Sequence, residues 1–157
     1  MLHAKVVDIK KEKIKISNAE KFIASTKYGA SVYFVGTVRD INNNKNVIAM
    51  TYDTHDKMVV KSFEEIYKDS KTKFKFDKQA VFIEHIKGKI LLGEISILIA
   101  VACKHRNQAY ELSRYFIEAI KKKTPIFISP IAFWSSRREE SIGNIPEAWK
   151  YEEILPK

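Results

Sequence analysis

The stretch from Glu94 to Pro125 constrains the fold most. An apolar run, Ile95 to Cys103, is short and rich in β-branched residues, which predicts a buried strand. Lys104-His105-Arg106 follows, then an amphipathic segment from Asn107 to Ile120 in which Ala109, Leu112, Phe116, Ala119 and Ile120 recur at helical spacing. Lys121-Lys122-Lys123 sits where cations offset the helix dipole, and Pro125 stops the helix. A strand therefore delivers His105 and Arg106 to the start of a helix. Unpaired backbone N–H groups there favour anions, and an arginine adds a bidentate fork. A phosphate or carboxylate site is the functional reading of this junction; an ordinary surface pair is the plainer one.

The rest of the chain surrounds that unit. Residues 4–9 and 13–16 read as two short strands, and Ser17 or Asn18 as the cap of a short helix through Ile23. Ala30 to Val38 reads as a central strand ending near Arg39, and 40–46 as a polar loop. Val47 to Asp53 is a further strand. Lys57 to Ser70 is helical, with Val60, Phe63 and Tyr67 on one face and Val59 and Ile66 beside it. Ala80 to Ile86 is a strand, with turns at Lys87-Gly88-Lys89 and at Gly93. Ile126 to Trp134 is extended, although Pro130 argues against a central strand. Ser135 to Pro146 reads as a loop, and Trp149 to Ile154 as a last strand. Consecutive strands without a strict βαβ rhythm predict an α+β fold. No linker or repeat divides residues 1–157, so a single domain is expected.

Composition narrows the function classes. Against 19 Asp+Glu the chain carries 28 Lys+Arg, a net charge of +9. The excess is mostly lysine dispersed along the chain, which suits solvated faces and anionic ligands better than a nucleic-acid footprint. The one cysteine, Cys103, lies in the apolar run and reads as core filler. His55, His85 and His105 with Cys103 lack metal-ligand spacing, so no metal is expected. The N-terminus has no signal-peptide pattern, and no apolar run reaches the ~20 residues of a membrane span. The expectation is a cytoplasmic protein. Arg39, at the end of a strand, is a candidate second anion clamp, and one of the three lysines a candidate acid, base or clamp.

Five pieces in order carry a resemblance. They are Gly29-Ala30 with Phe34-Val-Gly36-Thr-Val-Arg39; Met50-Thr-Tyr52-Asp with Met58; His85-Ile-Lys-Gly88 with Leu92-Gly93-Glu94; Val101-Ala-Cys-Lys-His105-Arg106 with Ala109; and the helix into Lys121-Lys-Lys-Thr-Pro125-Ile126. Together they resemble the large, catalytic subunit of molybdopterin synthase. The resemblance implies an α/β hammerhead-type fold with an additional α+β region, and a homodimer. A small ubiquitin-like sulfur-carrier subunit would dock at each end to make a heterotetramer. The carrier's C-terminal Gly-Gly thiocarboxylate would supply sulfur to cyclic pyranopterin monophosphate, in two rounds, forming the dithiolene of molybdopterin. No permanently bound cofactor is implied. Carried over position by position, Phe34, Arg39, His105 and Arg106 line the substrate pocket and Lys121 is the first active-site lysine.

One departure stands out. The family places a second lysine shortly after the proline, where this chain reads Pro125-Ile-Phe-Ile128. Ile128 neither donates a proton nor holds a carboxylate. Arg137 or Arg138 is the candidate replacement charge. The rival expectations are a catalytically impaired pterin- or phosphate-binding relative that still docks the carrier, and a basic nucleic-acid-binding domain. A straight helix from His105 to Lys121 would separate them by ~24 Å, so one small substrate cannot touch both. A pocket composed of His105 and Arg106 from one subunit with Arg39 and Lys121 from the other is therefore expected.

Overall fold

The computed structural model describes residues 1–42, 45–132 and 152–153. In chain order these form β1 (Leu2–Asp8), α1 (Ile16–Ile23), β2 (Ala30–Thr37), β3 (Ile41–Asn42), β4 (Lys45–Thr54), α2 (Asp56–Phe74), β5 (Gln79–Leu91), β6 (Ile95–Cys103), α3 (Arg106–Lys123), β7 (Ile126–Ala132) and β8 (Glu152–Glu153). The fold is α+β, as expected. The strands join in one sheet ordered β2-β6-β5-β4-β7-β8, with β1 beside β5 and β3 beside β4.

β5 and β6 form the centre, and their side-chain alternation sorts the core into two layers. Val81 and Ile83 of β5, with Ile97, Ile99, Val101 and Cys103 of β6, meet α2 and α3. Ala80, Phe82 and Ile86, with Leu98, Ala100 and Ala102, meet Ala19 and Ile23 of α1 on the opposite face. Because both faces are covered, β6 is apolar at every position but Ser96, which explains its near-continuous apolar run. Ala109, Leu112, Phe116, Ala119 and Ile120 of α3 are all buried, as their spacing predicts. On α2 the buried stripe is Val59, Phe63 and Ile66, while Val60 and Tyr67 flank it half-buried; the predicted face is rotated by about one residue.

Several expectations are corrected. Lys87-Gly88-Lys89 is not a turn but part of the thirteen-residue β5. There the strand changes partners: β1 pairs with it up to Lys87, and β4 pairs with it from Gly88 to Leu91. Gly88 takes φ +98°, and a Cβ there would stand 2.7 Å from Ile9 Cγ2. Ala30–Thr37 is not central but the sheet's edge, paired only with β6 among the described residues. Its alternating exposure follows, since one face packs on α3 while Tyr33 and Val35 remain open. Residues 13–15 are not a strand, and α1 starts at Ile16 after Lys15, ahead of the predicted Ser17 or Asn18 cap. Within the predicted 40–46 loop, Ile41–Asn42 pairs back on Lys45–Asn46. Pro130 lies inside β7 opposite Met50, and β8 joins β7 only beyond it, at Ile131 and Ala132. The predicted loop from Ser135 to Pro146 lies outside the described residues.

Replacing Gly88 with alanine should cost about 1–3 kcal/mol, because it combines a left-handed backbone with a close side-chain contact. Urea denaturation of Gly88→Ala should show a lowered midpoint at unchanged m-value.

Candidate functional site: a cationic cavity between two core layers

A cavity of about 480 Å³ opens where the two core layers meet. Polar groups reach it from several elements, among them Thr37 of β2 and Asn42 of β3. Arg39 arrives just beyond the end of β2, which first contributes Phe34 and Gly36. Lys121 and Thr124 come from the end of α3. Tyr52, His85 and Ser96 come from the inner strands β4, β5 and β6. Apolar walls are supplied by Met50, Ile97, Ile117, Ile120 and Ile126. No Asp or Glu is among its lining residues, and Arg39 and Lys121 make no ion pair among the described residues. Two unneutralised cations at the mouth of a largely apolar cavity make an anion site.

The lysine triplet divides by partner. Lys123 is ion-paired to Asp69 at 3.0 Å, while Lys121 lines the cavity and Lys122 does not. Ser62 Oγ and Thr124 Oγ1 lie 3.0 Å apart and tie the end of α3 to α2. Dipole compensation thus accounts for the other two lysines and leaves Lys121 for the site.

His105 and Arg106 are elsewhere. His105 is the N-cap of α3, and its backbone N–H donates to Gln108 Oε1 at 3.3 Å. Both side chains are exposed, and neither lines the cavity. They stand at the opposite end of an eighteen-residue helix from Lys121. Gly29 is what allows the chain to pass this junction, since a Cβ there would meet the Lys104 carbonyl oxygen at 2.5 Å. One chain therefore brings together Phe34, Arg39 and Lys121, and holds His105 and Arg106 apart. Ile128 also lines the cavity, on the same sheet face as Tyr52 opposite it. The position expected for a second lysine is in place without its charge. Arg137 and Arg138 lie outside the described residues.

Sequence reasoning passed over the inner polar groups. His85 and Ser96 are buried polar residues in otherwise apolar strands, and that interruption is the signal that could have marked them. The Tyr52 hydroxyl is hydrogen-bonded to Ser96, and Ser96 Oγ donates to the Gly36 carbonyl at 3.1 Å. Burial pushes the Tyr52 phenol above its ordinary value and the His85 imidazole below its own. Cys103 is fully buried among the strands, and burial pushes its thiol up to about 11. Among the described residues no group of three or more His, Cys, Asp or Glu gathers in metal-binding geometry, and no helix is long and apolar enough to cross a membrane.

A model of the MoaE protein family matches residues 9–123. The chain belongs to that family. Relatives include the molybdopterin synthase catalytic subunits of Bacillus subtilis, 32% identical over 92% of this chain and 88% of that one, and of Pyrococcus abyssi, 31% identical over 79% and 83%. The Drosophila melanogaster protein of the same name is 31% identical over 100% of this chain, which spans only 40% of that longer protein. Among solved structures, molybdopterin synthase from Staphylococcus aureus superposes with a TM-score of 0.75 at 28% identity, covering 82% of this chain and 90% of that one. A Helicobacter pylori structure, described as a complex of subunits 1 and 2 of molybdopterin-converting factor, gives 0.64 at 23% identity, over 82% of this chain and 83% of that one. MoaE proteins thus share this chain's α+β sheet.

Two outcomes are expected of the buried groups. Cys103 should resist alkylation at pH 8 in the native protein and react on unfolding, because a buried thiol with a pKa near 11 offers almost no thiolate. Mass spectrometry of iodoacetamide-treated samples with and without denaturant reads this directly. His85, neutral and buried in the fold, takes up a proton more readily when unfolded. Its contribution to stability is therefore present above the unfolded imidazole value of about 6.5 and is lost as pH falls below it toward the lower folded value. Thermal melts between pH 7.5 and 5 should show a fall that is smaller in His85→Phe.

Proposed function

We propose that this chain is the catalytic subunit of a molybdopterin synthase, a sulfurtransferase of molybdenum cofactor biosynthesis. Its substrate is cyclic pyranopterin monophosphate, and its sulfur donor is the thiocarboxylated C-terminus of a small ubiquitin-like carrier subunit. The observation that carries the reading is the convergence of Arg39 and Lys121 on one carboxylate-free cavity. The substrate's phosphate and the carrier's departing carboxylate are both anions, and a partly desolvated site strengthens each charge–charge contact. Lys121 moves a proton or holds developing charge during transfer, and Arg39 clamps the anion with its planar fork. Phe34 supplies an apolar wall for the ring system. The chain's single thiol is buried and unreactive, so sulfur passes from carrier to substrate without a persulfide on this subunit. The chain works in the cytoplasm, with no metal or permanently bound cofactor.

The complete site is shared between two copies. His105 and Arg106 cannot reach the cavity of their own chain, for they lie a helix length from Lys121. In a homodimer they would complete the partner's cavity, and a carrier docked on each protomer makes the assembly a heterotetramer. Relatives matched over most of both chains, such as the Bacillus subtilis and Pyrococcus abyssi proteins, carry the molybdopterin synthase catalytic subunit name. Arg137 or Arg138 supplies the charge that Ile128 lacks.

A single-turnover assay with thiocarboxylated carrier and cyclic pyranopterin monophosphate tests this. Wild type should form the dithiolene, and Lys121→Ala should slow it by about 10²-fold or more, the usual scale for a lost proton-transfer group. Joint replacement of Arg137 and Arg138 by alanine should also slow it. Lys121→Ala and Arg106→Ala, each impaired alone, should regain activity on subunit exchange, because one site of the mixed dimer is intact. Carrier binding without product in wild type would instead favour a binding relative that lost its chemistry with the second lysine.

A further inference from the structure

Charge accounts for the mouth of the cavity and leaves its inner end unexplained. There His85, Tyr52 and Ser96 face a space otherwise walled by apolar side chains. The His85 ring meets the Tyr52 ring edge-on, with centroids 5.1 Å apart at 71°. His85 Nδ1 lies 2.7 Å from the Ile86 carbonyl oxygen, so Nδ1–H donates to the backbone. That tautomer leaves Nε2 as an uncharged acceptor. Tyr52 is occupied by Ser96, and Ser96 by the Gly36 carbonyl. The inner end thus offers a lone pair and no charge, and what suits it is an N–H donor on a ligand, not an anion.

Strand register gives the scale. Gly36, Ile97 and His85 share one row across β2, β6 and β5. Two interstrand steps make about 10 Å, roughly the length of a fused two- or three-ring heterocycle. A Cβ on Gly36 would stand 2.6 Å from Ile97 Cγ2, so the row is open at β2 only because this residue is glycine. Arg39 lies three residues beyond it, at the cationic end. The cavity is therefore polarised, with cations at one end, an uncharged acceptor at the other and apolar walls between.

We propose that His85 is a specificity-determining residue whose Nε2 accepts a hydrogen bond from the N–H edge of a flat nitrogen heterocycle, fixing which end of the substrate lies inward while its phosphate rests between Arg39 and Lys121. The proposal rests on the sulfur-transfer reading and adds the orientation of the substrate to it. A ring lacking that donor leaves a buried acceptor unpaired, and a second anionic group placed inward meets no cation.

Calorimetry with two probes, cyclic pyranopterin monophosphate and inorganic phosphate, separates the two ends. His85→Phe should bind the pterin about 10-fold more weakly, the scale of one buried hydrogen bond lost, with phosphate affinity unchanged. Arg39→Ala should weaken both. His85→Gln, which can again present an acceptor, should recover most of the pterin affinity. On wild type, the ¹⁵N signal of the buried imidazole should move with the pterin and stay with phosphate; this decides the matter if neither variant folds. Equal pterin affinity in wild type and His85→Phe, a parallel loss for phosphate, or an unmoved imidazole overturns the proposal alone. Wild type that binds phosphate but no pterin overturns the substrate assignment, and this inference with it.

Discussion

Everything in this fold depends on two central strands being buried on both faces. β5 and β6 must present apolar side chains upward to α2 and α3 and downward to α1, so neither tolerates a polar residue without a local partner. Each large side chain sealed there contributes about 1.5–3 kcal/mol against exposure. Most polar exceptions are tied down, although Gln79 Oε1 at the start of β5 is buried without a partner. Glu84 takes the His3 imidazole at 3.1 Å, with His3 stacked on Phe82, and Ser96 takes the Gly36 carbonyl. His85 bonds the backbone through one nitrogen and leaves the other uncommitted.

The cavity follows from the same constraint. β5 cannot keep β1 as its neighbour along its whole length, because β1 ends at Asp8. At Gly88 the strand bends and β4 takes over, bringing β7 beside it. The cavity is lined by the first residues of β6, the last turn of α3 and residues of β4, the strand that takes over from β1. The cations come from the ends of regular elements, Arg39 just after β2 and Lys121 in the last turn of α3. Both side chains are largely exposed and line the cavity.

Much of this was legible in the sequence, and the misses have physical causes. The β6–α3 unit could be read residue by residue, because two-sided burial and helical spacing leave strong patterns. Phe34, Arg39 and Lys121 were identified from resemblance and do meet in one cavity. The edge position of β2 was not legible, since a strand half-covered by α3 carries nearly the composition of a central one. Lys87-Gly88-Lys89 has turn composition but strand geometry, because glycine serves a partner change as readily as a turn. In the sequence His85 stands out only as part of the resemblance and as a histidine without metal-ligand spacing. Its cavity neighbours Tyr52 and Ser96 are distant in sequence and adjacent only through the pairing of β4 with β5 and β5 with β6.

Ile128 turns from an anomaly into a constraint once the cavity is seen. It shares the cavity lining with Ile117, Ile120, Ile126 and Lys121. Two lysines on one lining would repel each other, and a bound anion would offset that repulsion. Removing one lowers the standing cost of the empty site and raises the demand on Lys121 and Arg39 when an anion arrives. Among the described residues this end of the cavity carries two cations, Arg39 and Lys121, beside an apolar wall. That bias favours a ligand with one anionic end and a flat, uncharged body, which is also what the neutral acceptor at the inner end requires.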